Sequence, residues 1–247
     1  MPDTEGLLAL YGQGRFAEVA DLAVARVGRD PADGMGWKIL GTACHQLGRL
    51  DQAQAALERS VALLPDDFEA HNNLAAVLRD RGAFDAAELS ARRALALAPG
   101  ASFVRLNLGL ILNGQQNWAE AALQLALAPA SDPMGRFALG TALRKLERLD
   151  DAAAAFAAAT DLNPKFAAAQ LALGSCLLAL GRAADAVERL RLAVALAPAS
   201  ADAHGTLGLA LLDSGAVREG LTMLEAGYGV VRFARSRGMS IHPGVSQ

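Results

Sequence analysis

The sequence predicts an all-α fold, a solenoid of about seven helix-turn-helix repeats closed by a C-terminal capping segment. Three observations predict it. A small residue recurs at Gly41, Ala75, Gly109, Gly140, Gly174 and Gly208, at intervals of 34, 34, 31, 34 and 34. A second small residue keeps step twelve places later, at Ala53, Ala87, Ala121, Ala152, Ala186 and Gly220. Prolines at 31, 65, 99, 164 and 198 mark the joints. A period of this length, held over most of a chain, belongs to a repeat array in which each unit buries its apolar face against its neighbours.

Each period carries two helical patterns. In the second, the first helix runs from about Gly36 to Leu47 and breaks at Gly48-Arg49; the next runs from Asp51 to Leu64 and stops before Pro65. Leucine, alanine, glutamate and arginine, all strong helix formers, dominate both. Gly14, Gly48, Gly82, Gly181 and Gly215 stand at the turn inside five of the pairs, where a left-handed residue closes the first helix. Asp51, Asp85, Asp151 and Asp185 fall in the opening turn of second helices, facing the positive end of the helix dipole. Proline then ends the pair, because it cannot continue a helix without losing a hydrogen bond.

The composition excludes several classes. Hydrophobic residues make up 53% of the 247, much of it alanine, and aromatics only 5%, a mix suited to close helix packing. A net charge of −3 gives no strong field toward nucleic acid or a membrane surface, so neither is expected as a partner. Cys44 and Cys176 lie far apart in the array with no metal-ligand spacing, which fits a reducing, cytoplasmic setting. The opening MPDTEGLLAL has neither a basic segment nor a long apolar run, so no signal peptide is expected. No apolar stretch approaches ~18 residues, so no membrane insertion is expected.

Trp37, Leu40, Gly41, Gly48, Ala53 and Pro65 in one unit, and Leu173, Gly174, Gly181, Ala186, Ala193 and Pro198 in another, resemble the tetratricopeptide repeat. The resemblance covers 1–234 and implies a right-handed superhelical solenoid of units 1–33, 34–67, 68–101, 102–132, 133–166, 167–200 and 201–234, with 235–247 as a tail or the end of a capping helix. The first unit has Leu7 where glycine or alanine is expected, and the last has Gly220 and Gly227 in place of alanines. The fourth, with 31 residues, meets Pro129 early; a local change of superhelical pitch and a tolerated deletion are both open readings.

Helical geometry assigns the faces of each first helix. Trp37, Leu40, Gly41 and Cys44 share a packing side, while Met35, Ile39, Thr42 and Gln46 point the opposite way, flanked by Lys38 and His45. Stacked over the units, that opposite side forms a concave wall, which in the resembled family commonly binds peptides. Glu69, Asn72, Asn73, Arg79 and Asp80 continue it in the third unit, and Phe103, Leu106, Asn107 and Leu110 in the fourth. Met134, Phe137, Thr141, Arg144 and Lys145 follow in the fifth. The apolar set Phe103, Leu106, Leu110, Met134 and Phe137, flanked by Arg79, Arg144 and Lys145, reads either as a pocket for a partner's hydrophobic anchor or as ordinary seam packing. Asn73 and Asn107, one period apart, read either as solvated side chains or, by resemblance, as two rungs of the asparagine ladder of O-GlcNAc transferase repeat domains; an amide grips a peptide backbone without reading its sequence. Lys38 and Asn73 fall where two members of the family's carboxylate clamp stand, but Thr42, Phe103 and Asn107 replace the others, so no chaperone tail is expected.

Nothing points to catalysis, a metal or a cofactor. His45, His71, His204 and His242 are scattered, none pairing with a cysteine or carboxylate at ligand spacing. Neither GxxxxGK[ST] nor GxSxG occurs. At the end of the chain Val230, Val231 and Phe233 are expected to form a short helix over the last pair, with Arg232, Arg235 and Arg237 toward solvent; a linker, or a basic arm docking on Asp202 and Asp213 of a second molecule, are the alternatives. The expected function is a non-catalytic scaffold or adaptor that holds a protein or peptide in the groove. The rivals are the recognition domain of a larger enzyme such as a glycosyltransferase, and a homo-oligomer in which one copy fills another's groove.

Overall fold

The computed structural model describes residues 3–234 and 238–242, with side chains through residue 229. Contacts divide the chain into two compact units, Met1–Pro129 and Ala130–Gln247. The first holds α1 (Thr4–Gly12), α2 (Phe16–Arg29), α3 (Gly34–Gln46), α4 (Leu50–Leu63), α5 (Phe68–Asp80), α6 (Phe84–Leu97), α7 (Ser102–Gly114) and α8 (Trp118–Ala126). The second holds α9 (Pro133–Lys145), α10 (Leu149–Leu162), α11 (Ala167–Ala179), α12 (Ala183–Leu196), α13 (Ala201–Asp213), α14 (Val217–Tyr228), β1 (Val230–Ala234) and β2 (Gly238–His242). The helices form seven consecutive pairs.

The expected glycine turns hold. Gly14, Gly48, Gly82, Gly181 and Gly215 all adopt left-handed backbone, with φ from 71° to 86°. The matching places of the fourth and fifth pairs carry Gln116 and Glu147, forced to φ of 62° and 60°. A side chain there costs about 1–2 kcal/mol. Gln116→Gly and Glu147→Gly are therefore each expected to stabilise the chain by roughly 0.5–1 kcal/mol once glycine's extra chain entropy is subtracted, read as a higher denaturant midpoint.

Five of the described pairs are held by a glycine set against a large residue sixteen places on. A Cβ built on Gly41 would stand 2.5 Å from Leu57 Cγ, on Gly109 2.5 Å from Leu125 Cγ, and on Gly174 2.5 Å from Leu190 Cγ. Gly140 faces the Phe156 ring and Gly208 faces Leu224 in the same register. Where the first helix offers Ala75, the residue sixteen on is Ala91, and both are fully buried. The bulk is redistributed across the contact, as close packing requires.

A second device closes the joints. Trp37 Nε1 donates to the Pro31 carbonyl at 3.0 Å, Arg105 Nη2 to that of Pro99 at 3.0 Å, and Gln170 Nε2 to that of Pro164 at 3.3 Å. His71 Nε2 stands 2.9 Å from the Pro65 carbonyl in the same register. One side-chain N–H thus satisfies a carbonyl that the joint leaves without a helical partner.

The short fourth period takes its loss from α8, which has 9 residues where α2, α4, α6, α10 and α12 have 14. The two units divide just after it, at Pro129.

The C-terminal expectation is corrected. α14 ends at Gly229, whose φ of 95° and ψ of −153° suit glycine alone. The chain then continues as β1, paired antiparallel with β2 from Val230↔His242 to Ala234↔Gly238. Adjacent β-branched residues and a phenylalanine after a glycine break favour extended pairing over the short helix expected at Val230, Val231 and Phe233. The predicted orientation of Arg232, Arg235 and Arg237 lies outside the described residues and side chains.

Candidate functional site

In the first unit α1 touches α3, α3 touches α5 and α5 touches α7, while α2 packs on α3, α4 on α5 and α6 on α7. The first helices of that unit therefore share one wall. In the second unit α11 touches α13 in the same way.

The wall of the first unit is more interlocked than its sequence shows. Asn73 is half-buried and its Nδ2 donates to Thr42 Oγ1 at 3.2 Å; that hydroxyl donates in turn to the Lys38 carbonyl at 2.7 Å. Asn107 is engaged at both ends of its amide: Nδ2 donates to Asn72 Oδ1 at 2.9 Å, and Oδ1 accepts from Arg79 Nη1 at 3.1 Å. Asn72, expected on the open wall, is buried beneath this contact. Arg79 also donates twice to Asp80 Oδ1, while Asp80 Oδ2 lies 2.7 Å from His45 Nε2. A polar belt therefore runs His45–Asp80–Arg79–Asn107–Asn72 across α3, α5 and α7. Arg79 and Asn107 serve that belt first.

Lys38 is likewise committed. Its Nζ donates to Asp67 Oδ2 at 2.7 Å and to Glu69 Oε2 at 2.9 Å, leaving no free cation for a clamp. Asp67 caps α5 through the N–H groups of Glu69 and Ala70. Burial pushes the Asp67 carboxyl up, but Lys38 and those N–H groups outweigh it and hold the group below its ordinary 3.8. Burial pulls the Lys38 ammonium down, yet the bonds to Asp67 and Glu69 hold it above 10.5. Stability tied to Asp67 is thus present above pH 3.8 and lost as the pH falls through its lower folded value. Stability tied to Lys38 is present below pH 10.5 and lost as the pH rises past it. Asp67→Asn is expected to flatten the acid limb of a plot of Tm against pH.

The expected apolar patch falls in two parts, one in each unit. On α7 Phe103 is 43% exposed, its ring 6.0 Å from that of Phe68, with Leu106 and Leu110 half-buried beside it. On α9 Met134 is exposed, whereas Phe137 is half-buried with its ring 5.5 Å from Phe156 and 5.0 Å from Phe166. Phe137 therefore belongs partly to the packing of its own unit, and Phe103 is the open ring. Thr141 Oγ1 bonds the Phe137 carbonyl at 3.0 Å, and Arg144 and Lys145 are exposed at the end of α9.

A pocket of about 240 Å3 between α1, α3 and α5 was not legible in the sequence. Leu8, Tyr11, Met35 and Ile39 give it an apolar lining, and Thr42 and Asn73 a polar one. Carrying the 34-residue offset back from Thr42 would have pointed to Leu8, but Leu7 at the glycine place made the first unit look degenerate.

The two cysteines are free and buried, and burial pushes both thiols up from their ordinary value. Among the described residues no group of three or more potential metal ligands gathers, and no helix is long and apolar enough to cross a membrane.

This arrangement is that of an α-solenoid of helix-pair repeats with a side-chain wall along its first helices. The chain belongs to the tetratricopeptide repeat family: a model of that repeat matches residues 46–102 and 137–201. Solved structures agree. The chain is similar to a chain of the APC/C hetero-tetramer Cut9–Hcn1, with TM-score 0.68 and 22% identity over 90% of this chain and 45% of that one. It is similar to pilF of Pseudomonas aeruginosa at TM-score 0.66 and 22% identity, covering 80% and 92%. YrrB, described as a TPR protein with an unusual peptide-binding site, gives TM-score 0.62 and 20% identity, covering 74% and 96%. At these identities the likeness is one of fold. The chain spans 45% of the length of the Cut9–Hcn1 relative. No curated protein matches it.

Proposed function

We propose that the chain is a non-catalytic scaffold that holds a segment of a partner polypeptide along the first-helix wall. The observation that carries this reading is the pocket between α1, α3 and α5. Its lining joins the apolar Leu8, Met35 and Ile39 to the hydroxyl of Thr42 and the amide of Asn73, a mixture that suits a side chain and the adjoining peptide group. Leu8, at 55% exposure, and Phe103 further along the wall offer apolar surface to an anchor. YrrB, which shares this fold, is described as binding a peptide. The two free, buried thiols fit a reducing, cytoplasmic setting for such a scaffold.

Leu8→Arg fills the mouth of the pocket with a charge, and Phe103→Ala removes the open ring; neither side chain is core. A pull-down with the wild type beside the Leu8→Arg/Phe103→Ala variant is expected to show the specific partner bands lost from the variant at unchanged Tm. Identical bands in both lanes would contradict the proposal.

A further inference from the structure

α3 stands between two pockets. Met35, Ile39 and Thr42 face the one on the wall, while Trp37, Leu40 and Cys44 face another, of about 560 Å3, bounded by α2 and α4. The second is floored by apolar groups, with Val24 at its lip 55% exposed. Arg49 and Arg59 stand on its rim, and among the described residues neither side chain makes a hydrogen bond or ion pair. Asp21 is the one acidic residue in the lining.

The repeat explains why these two cations are unpaired. Where an arginine opens a second helix elsewhere, an acidic residue stands three places on and the two pair: Arg15–Glu18, Arg148–Asp151 and Arg182–Asp185. After Arg49 that place holds Gln52. One period beyond Arg59, Arg93 pairs with Asp66; one period before Asp66 stands Ala32. Both internal partners are thus missing at the same pocket. The equivalent pocket of the second unit measures about 390 Å3 and carries Asp185 and Glu188 where this one has Gln52 and Ala55. Leu192 occupies the place of Arg59 there.

We propose that this pocket, on the face of α3 opposite the wall, is a second docking site, for a partner peptide with an apolar anchor between acidic residues. The anchor covers Leu40 and Trp37 at the floor and Val24 at the lip, and the flanking carboxylates take the charge-assisted bonds that Arg49 and Arg59 lack within the chain. An acidic partner complements the two arginines, which residues 230–242, with Arg232, Arg235 and Arg237, do not.

The probe is a fluorescein-labelled peptide with a Leu-Phe pair flanked on each side by three glutamates; the control has lysine in place of every glutamate. Fluorescence anisotropy is expected to show saturable binding of the acidic peptide alone, weakening as salt rises. Arg49→Glu/Arg59→Glu is expected to weaken it about tenfold or more, with Tm unchanged because neither arginine has a partner to lose. Leu8→Arg, which closes the wall pocket, is expected to leave it intact, so failure here is distinct from failure of the wall. No saturable binding, equal binding of the lysine peptide, indifference to the arginine changes, or loss on Leu8→Arg instead would each overturn the proposal.

Discussion

Gly174→Leu is expected to destabilise the chain by about 3 kcal/mol, the upper end of what overpacking costs. The α11–α12 contact has no room for it: a Cβ alone would stand 2.5 Å from Leu190 Cγ, and Leu190 is itself fully buried. In a repeat array the loss acts first on the pair and its neighbours, so amide exchange should accelerate in α11 and α12 ahead of the rest. The pairing of Ala75 with Ala91 supplies the rescue. Gly174→Ala/Leu190→Ala rebuilds that combination and should recover part of what the two single changes lose, as a positive coupling in a double-mutant cycle. Strict additivity would show that the two positions do not share one space.

Phe156→Ala is expected to cost about 3–5 kcal/mol, measured by denaturant unfolding. The ring is fully buried, lies over Gly140 and meets Phe137 at 5.5 Å. Its removal opens a cavity that α9 cannot close without abandoning the glycine register. Phe156→Leu installs the residue found at the same place as Leu57, Leu125, Leu190 and Leu224, and should cost less than about 1.5 kcal/mol. Losses near zero for both variants would contradict a core role for the ring.

Most of the fold was legible because the features that set it are local and recur. The small residues at 41, 75, 109, 140, 174 and 208 fix where helices meet, and the turn glycines fix where they reverse; both act through neighbours at a constant offset. The strand pair at the end was not legible, since no second copy of VVRFA exists in the chain to show how it behaves. Helical faces also put the wall residues on one side of their helices without showing how they are spent. Asn73 and Asn107 look alike in sequence, yet Asn107 is bonded at both ends of its amide while the amide nitrogen of Asn73 reaches only a hydroxyl. That difference depends on bonds between repeats, where rotamers and separations decide and register does not. The same holds for Lys38, a candidate clamp cation by position and an internal ion-pair partner by geometry.

Selection of phage-displayed random peptides on the immobilised Arg49→Glu/Arg59→Glu variant, in which the second pocket is disabled, tests the wall most directly. The selected peptide would then be added at saturation and amide exchange compared with and without it. The expected result is enrichment of a peptide that slows exchange in α1, α3 and α5 and whose binding Leu8→Arg abolishes. Failure to enrich any peptide, or protection confined to α2, α4 and α6, would contradict it.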